Sequence, residues 1–347
     1  MNEHFAASEG SDDRRLNFFS GASVFLVSSI VIAMQIVLMR ALSYSRYHHF
    51  SYLVISIALL GFGASGTFLT FLSSRLREKR ELFVPVFLIL FLISIPVAYY
   101  ISEGLNIDIQ YVFFSKDQLL RFALYIILLF IPFFMGAVII GGSFIIFRKD
   151  IASVYGVNLL GSGAGGITAI GLLYLFLASD LIFLAPAVVL LVLMLWLLSA
   201  EEYRGSRLRA FAVSALVMGA ALTILVTQLK PSVNIDQYKT GAYLRRLEAQ
   251  GDANRLFTAF SPRGRVEVYS SDMLHRTMFA GLFTSALPPE QLAVVVDGND
   301  AGTIFRISSE TEAGIMELTP QALPYRVIRS PKVLLLGEIG GPNIWLA

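Results

Sequence analysis

The sequence predicts a polytopic α-helical membrane protein with about seven transmembrane helices, followed by a β-hairpin region and the first strand and turn of an incomplete Rossmann-like α/β domain. Three observations lead to this fold class. Of the 347 residues, 56% are hydrophobic and only 15% are charged, whereas soluble proteins carry roughly 25% charged residues. Long apolar runs fill the N-terminal part of the chain. After Lys230 and Pro231, polar residues, turn signals and alternating strand patterns replace those runs.

Each apolar run is long enough to cross a bilayer as a helix, because a hydrocarbon core about 30 Å thick needs about 20 apolar residues. The predicted spans are 18–39, 50–72, 82–101, 119–147, 151–178, 180–199 and 208–229. The fourth run contains Pro132 and is too short for two crossings, so we expect a single tilted or kinked helix there. Residues 1–17 are then an N-terminal tail and residues 18–229 a transmembrane domain.

Arginine and lysine alternate between the two sides of the predicted spans. They are frequent in the tail and in the loops after spans two, four and six, and rare in the other loops. The positive-inside rule therefore places the N-terminus in the cytoplasm, as part of a multi-pass protein of the cell (inner) membrane. With seven spans, everything after Leu229 lies on the outside.

The totals argue against several other classes of protein. A net charge of +2, with basic residues in short clusters between apolar runs, does not favour a nucleic-acid partner. Without cysteine there is no disulfide, thiolate metal site or cysteine nucleophile. His48 and His49 lie at a span boundary far from other histidines, so we interpret them as interfacial residues and predict no metal site. The lipid bilayer is the partner that composition predicts.

The region after the spans begins with a connector, residues 230–260, and continues as a strand and hairpin region, residues 261–330. SPRGRVEVYSS, residues 261–271, places a proline and glycine turn before alternating valines. This pattern predicts a turn that leads into a strand.

A hairpin is predicted in LAVVVDGNDAGTIFRI, residues 292–307. Two strand-like runs flank Asp297 and Gly298, and Asp-Gly is a common pair in type I′ turns. We therefore interpret Asp297 as a turn residue, with a catalytic role as the alternative.

The last segment, residues 331–347, predicts the start of a nucleotide-binding domain. In KVLLLGEIGGPNIWLA, the apolar run Val333–Leu336 is typical of a strand buried on both faces. Pro342 is favoured at the first position of a helix, and Gly340 and Gly341 let a ligand approach the backbone before it. An ordinary strand-to-helix turn is the alternative, and the glycines alone do not decide between the two.

A literal G-x-G-x-x-G motif occurs elsewhere, at Gly161, Gly163 and Gly166. That motif binds pyrophosphate only between a strand and a helix, whereas this stretch lies inside a predicted transmembrane span. We therefore predict that these glycines let helices pack closely, and we interpret GFGASG, residues 61–66, in the same way.

Five stretches follow one another along the chain: IVLMRALSYSRYHHFSYLVISIALLGFGASGTFL, VYGVNLLGSGAGG, QYKTGAYLRRL with FTAFSPRGRVEVYSS, VVVDGNDAGTIF, and LPYRVIRSPKVLLLGEIGG. In this order they resemble the membrane-embedded branch of the spermidine synthase (polyamine aminopropyltransferase) family. They are similar, in turn, to its first two spans, its asparagine and glycine helix, its Tyr-Lys connector with a Ser-Pro-x-Gly-Arg strand, its Asp-Gly hairpin, and the entry into its Rossmann-like domain.

The resemblance implies a domain that binds decarboxylated S-adenosylmethionine and transfers its aminopropyl group to a small amine such as putrescine. Related members bind S-adenosylmethionine instead. The residues that match the family's cofactor-binding positions are Gly337, Glu338, Gly340, Gly341, Asp297 and Gly298. The chain departs from the family at Ile339, where many members have glycine, and at Ala301, where the soluble enzymes have glutamine.

By this resemblance, the family's ribose-binding acidic residue and its catalytic aspartate correspond to positions after Ala347. We therefore assign no catalytic residue and expect this chain alone to have no aminopropyltransferase activity. The alternative function is a membrane transport or small-molecule binding module that uses the seven-helix bundle, with a regulatory soluble part. Because the cofactor is expected in the cytoplasm, the side of the membrane that holds residues 230–347 stays open.

Overall fold

The computed structural model describes residues 16–199 apart from 79, the residues 213, 214, 217, 219–221, 224, 225 and 228, and then residues 235–274 and 288–347 apart from 329. The chain divides into two compact units. The helical unit comprises Met1–Ser43 and His48–Asn234, and the sheet unit comprises Tyr44–Tyr47 and Ile235–Ala347.

The described residues before 200 form six long helices. They are α1 (Phe18–Ser45), α2 (His49–Glu78), α3 (Arg80–Gly104), α4 (Lys116–Ile146), α5 (Ile151–Leu172) and α6 (Ala178–Ser199). Among the described residues, all of these except α5 are long and apolar enough to cross a membrane. The chain therefore has the helices of a membrane protein. The predicted seventh span lies largely outside the described residues, and those described between 213 and 228 are helical.

Helix α4 packs against both α2 and α3, and α3 also packs against α6. The prediction of a single fourth helix is confirmed, since α4 continues through Pro132. Glycines make room on this helix: a Cβ on Gly136 would lie 2.5 Å from Val31 Cγ2, and one on Gly142 would lie 2.8 Å from Phe83 Cε1. Small residues thus allow close helix approach, as they do in other membrane bundles.

The glycines of α5 are used in the same way. A Cβ on Gly161 or Gly165 would overlap the backbone of Phe25 or Ser29 in α1. The Ser29 hydroxyl also donates a hydrogen bond to the Gly161 carbonyl over 2.7 Å. Helix packing is therefore confirmed for Gly161, whereas a Cβ on Gly163 would have no neighbour within 4 Å.

In the second span, the packing interpretation holds for one of the three glycines. A Cβ on Gly61 would lie 3.0 Å from Phe133 in α4, whereas Gly63 and Gly66 have no such neighbour within 4 Å.

The sheet unit begins with helix α7 (Thr240–Gln250), which ends at Gly251 with a φ of 85°. Its four described strands are β1 (Asn254–Ser261), β2 (Gly264–Ser270), β3 (Gln291–Val296) and β4 (Asn299–Phe305). They pair antiparallel in the order β1-β2-β3-β4. The predicted turn and strand of residues 261–271 and the predicted hairpin of residues 292–307 are confirmed. Helix α7 and most of β1 lie in residues 230–260, which we assigned to the connector.

The core of the sheet unit is small. Leu244 of α7 packs with Tyr269, Leu274 and Val295, and Ala293 is partly buried against them. Apolar burial of this kind is the main favourable term in folding. Helix α7 is also fixed to the β3–β4 turn.

Residues Tyr44–Tyr47, which connect α1 to α2, are part of the sheet unit. The backbone N–H of Asp236 donates to the Ser45 carbonyl over 2.8 Å. The segment between two membrane-length helices therefore contributes directly to the fold of this unit.

The predicted strand at Val333–Leu336 is wrong. Residues 331–336 have no regular secondary structure, and the side chains of Leu334 and Leu336 are 80% and 83% exposed. A strand buried on both faces needs neighbouring strands and covering helices. Within the described residues none pairs with this run, so it stays extended on the surface.

After β4 the chain forms four short helical pieces and one terminal helical turn. These are α8 (Glu310–Ala313), the 3₁₀ helices Gly314–Leu318 and Pro320–Ala322, α9 (Leu323–Val327) and α10 (Pro342–Leu346). Pro342 occupies the first turn of α10, as predicted from its fixed φ.

Candidate cofactor-binding recess

The glycine loop, residues 337–341, has a backbone that only glycine adopts easily. Gly337, Gly340 and Gly341 have φ values of 69°, 84° and 82°. In this left-handed region an L-residue with a Cβ costs roughly 1–2 kcal/mol. The glycines are therefore required by the path of the chain between the extended run and α10.

The loop is seated directly on strand β4. A Cβ on Gly340 would overlap the carbonyl of Thr303. Ile339 lies against Gly302, since a Cβ built on that glycine would be 3.0 Å from Ile339 Cγ2. The residue that departs from the family pattern thus packs the loop onto the sheet.

A recess of about 240 Å³ lies between the loop, β4 and the 3₁₀ helices. Its lining residues are Ala301, Gly302, Thr303, Phe305, Met316, Thr319, Gln321, Gly337, Glu338, Ile339, Pro342 and Asn343. Apolar walls with a few hydroxyl, amide and carboxylate groups are typical of small-molecule sites. Typical pockets measure roughly 300–1,000 Å³, so this recess has room for part of a cofactor.

Glu338 is held in place by the residue that follows Pro342. Its Oε2 accepts a hydrogen bond from Asn343 Nδ2 over 2.6 Å, and its Oε1 accepts one from the Asn343 backbone N–H over 3.3 Å. These contacts fix the glycine loop to the first turn of α10. The carboxylate therefore presents a defined acceptor at the rim of the recess.

Asp297 and Gly298 lie elsewhere, in the β3–β4 turn, and neither lines the recess. Their φ values of 50° and 74° are both positive, as a type I′ turn requires. Asp297 Oδ1 accepts a hydrogen bond from the Arg265 backbone N–H over 2.9 Å. The turn interpretation of Asp297 is therefore favoured, and the structure separates the predicted site residues into two groups.

Lys239, the lysine of the Tyr-Lys connector, is a buried charged residue that was not among the predicted site residues. Only 2% of it is exposed, and its Nζ donates to the carbonyls of Tyr44 and Asp297 over 2.9 and 2.7 Å. The ammonium also lies 5.6 Å from the centre of the Tyr47 ring. Lys239 thus joins the Tyr44–Tyr47 segment to the β3–β4 turn.

The burial of Lys239 and the 3₁₀ wall of the recess give no signal of their own in the sequence, apart from the place of Lys239 in the Tyr-Lys connector. A lone lysine after tyrosine is common, and Thr319 and Gln321 lie in a stretch that reads only as a proline-broken loop. Within the described ranges, no three histidine, aspartate or glutamate residues are grouped as for a metal ion.

Comparison with protein-family models, with curated proteins and with solved structures gave no match to this chain. Function therefore has to be argued from the residues and their geometry.

Proposed function

We propose that this chain is an integral membrane protein of the spermidine synthase-like kind, and that its recess binds part of S-adenosylmethionine or decarboxylated S-adenosylmethionine. The observation that carries the proposal is the seat of the glycine loop on β4. It places Gly337 and Glu338, which match the family's cofactor loop, on the same recess as Ala301. Gly337 and Glu338 match the family's loop, whereas Ala301 is a position where the chain departs from the soluble enzymes. Their common place at one recess supports the proposal for the loop, and Asp297 and Gly298 lie outside that recess.

The chemistry of the recess supports a nucleoside-type ligand. Left-handed glycines turn the backbone so that N–H groups and a bare Cα approach a ligand closely. Thr303, Thr319 and Gln321 supply hydroxyl and amide groups, and Phe305 and Met316 supply apolar walls. Such a mixture suits a ligand that has an aromatic base and polar substituents.

We also propose that all seven predicted segments cross the bilayer, with the N-terminus in the cytoplasm. Support comes from Gly219 in the seventh segment, which is helical. A Cβ on Gly219 would lie 2.6 Å from Leu190 of α6. Seven spans would place the recess outside, whereas the proposed cofactor is expected in the cytoplasm, so a reporter enzyme fused at Lys239 decides between the two proposals. An exported location supports seven spans, and cytoplasmic activity of that fusion contradicts them and supports a cytoplasmic cofactor site.

The cofactor proposal is tested by equilibrium dialysis of the full chain in lipid nanodiscs with tritiated S-adenosylmethionine and its decarboxylated form. We expect saturable binding of one of them, displaced by adenosine. Gln321→Ala removes one amide from the recess and should weaken binding about fivefold, since a hydrogen bond contributes about 1 kcal/mol.

Gln250→Ala, at the exposed end of α7, is the matched control and should bind like the parent chain. The proposal is wrong if the parent chain shows no saturable binding, or if the two variants bind equally.

A further inference from the structure

The sheet unit contains a second site-like feature, separate from the recess: three guanidinium groups around one buried carboxylate. Arg245, Arg255 and Arg265 approach Oε1 of Glu267 over 3.4, 3.3 and 2.9 Å. Glu267 is fully buried. We call Arg245, Arg255 and Arg265 the arginine cluster.

The arginine cluster carries more positive charge than its acidic neighbours balance. Three cations share the Glu267 carboxylate, and Glu248, 3.4 Å from Arg255, is the other acidic partner in the described residues. One positive charge is thus left over. Like charges gathered at one point repel each other, and the repulsion is relieved when an anion joins them.

The cluster also holds hydrogen-bond donors that the described residues do not use. The Nε atoms of Arg245 and Arg265 are buried and have no acceptor within the described part of the chain. Buried donors normally have a partner, so two of them in one cluster indicate a missing acceptor.

Tyr44 holds two of these arginines in place. The guanidinium of Arg265 lies 4.9 Å from the centre of the Tyr44 ring and that of Arg245 lies 5.5 Å from it, within the range of cation–π attraction. Arg245 also donates a hydrogen bond to the Tyr44 hydroxyl. Both planar groups are therefore preorganised against the same tyrosine.

Arg245 remains charged in this setting. Burial lowers the pKa of Arg245, but the neighbouring Tyr44 and Glu267 outweigh that effect, and its pKa is raised overall. For Tyr269, burial and the Glu267 carboxylate raise the pKa of the hydroxyl, which therefore stays neutral at physiological pH.

The position of the cluster along the chain indicates where its ligand comes from. Tyr44 lies in the last turn of α1, a helix of membrane length. The side chains of Arg245 and Arg255 are 30% and 35% exposed, so a ligand can reach them. The paired N–H groups of a guanidinium match the spacing of phosphate oxygens. Basic pockets near membrane helices bind the head groups of anionic lipids.

We propose that the arginine cluster binds a phosphate group, carried either by an anionic lipid or by a free phosphate compound. The phosphate oxygens accept from the unused guanidinium N–H groups and offset the excess charge around Glu267. This site is independent of the proposed cofactor recess.

The test measures the thermal midpoint of the full chain in two arms. In the lipid arm, nanodiscs of phosphatidylcholine are compared with nanodiscs that also contain phosphatidylglycerol. In the free-ligand arm, inorganic phosphate is titrated against phosphatidylcholine nanodiscs at constant ionic strength. We expect stabilisation by phosphatidylglycerol or by phosphate, and the arm that responds identifies the source.

Arg255→Gln is the test variant because Arg255 is the most exposed of the three. Arg306→Gln is the matched control: Arg306 pairs with Glu290 at the edge of the same sheet and is 75% exposed. Loss of one cationic contact should weaken the apparent affinity about fivefold in Arg255→Gln and leave Arg306→Gln unchanged.

Equal responses of the two variants, or no response of the parent chain in either arm, would overturn the proposal. If Arg255→Gln does not fold, Arg255→Lys is used instead, because it keeps the positive charge but lacks the paired N–H donors of the guanidinium. It should bind more weakly than the parent chain, and parent-like binding would count against phosphate recognition by the guanidinium.

Discussion

The two glycine-rich stretches of this chain, GSGAGG in α5 and GEIGG in the glycine loop, use the same residue for different physical reasons. In α5, Gly161 and Gly165 are helical, and the absence of a side chain lets α1 approach them. In the glycine loop, Gly337, Gly340 and Gly341 have left-handed backbones. The α5 stretch needs glycine because a side chain would overlap α1, and the glycine loop needs it because its backbone has positive φ values.

The comparison teaches that the better literal match to a nucleotide-binding motif is the poorer candidate. A helix has already used its backbone N–H groups, so α5 has none to offer a phosphate or a nucleoside. The terminal loop departs from the motif at Ile339, yet it borders a recess with polar side chains. Local backbone conformation, rather than agreement with the sequence motif, distinguishes the glycine loop from the glycines of α5.

The largest expected effect is that of Gly340→Ala. Its Cβ would overlap the Thr303 carbonyl at a left-handed φ, so strain and overpacking together should destabilise the sheet unit by about 3 kcal/mol. Denaturant-dependent hydrogen exchange at residues 299–305 measures this. Gly337→Ala, where nothing lies within 4 Å, should cost only about 1 kcal/mol. Equal costs would mean that φ alone matters at both positions.

A smaller effect is expected for Gly165→Ala in α5. The added methyl group would overlap the Ser29 backbone, and overpacking of this kind costs about 2 kcal/mol. Detergent-induced unfolding followed by circular dichroism measures it. Gly163→Ala has open space around it and should be neutral or slightly stabilising, because alanine favours helix. A neutral Gly165→Ala would remove the packing role of this stretch.

The smallest effect is expected for Asn343→Ala. This change removes the side-chain hydrogen bond from Asn343 Nδ2 to Glu338 Oε2 and leaves the backbone one in place, and about 1 kcal/mol of local stability should be lost. Amide exchange in α10 should then speed up, with Gln250→Ala as an exposed control. Unchanged exchange would show that Glu338 does not fix the loop.

The parts of the fold that could be predicted depend on local chemistry. The hairpin at Asp297 and Gly298 follows from the φ that an Asp-Gly turn prefers, and the long helices follow from apolar runs that satisfy their own backbone. Pro342 marked the start of α10 for the same kind of reason.

The parts that could not be predicted depend on distant partners. The run Val333–Leu336 looks like a strand, but a strand exists only with neighbours, and within the described residues no strand pairs with it. Glu267 lies between two valines that suggested an ordinary strand. Its burial depends on arginines from α7, β1 and β2, and its Oε2 accepts from Tyr44, 223 residues away in sequence.

The most direct test of the central claim uses a photoactivatable S-adenosylmethionine analogue on the full chain in nanodiscs, followed by mass spectrometry of the labelled peptides. The account predicts labelling of residues 299–305 or 337–343 that excess adenosine suppresses. Adenosine-sensitive labelling of α5 around Gly161, or no adenosine-sensitive labelling of the glycine loop and β4, would contradict it.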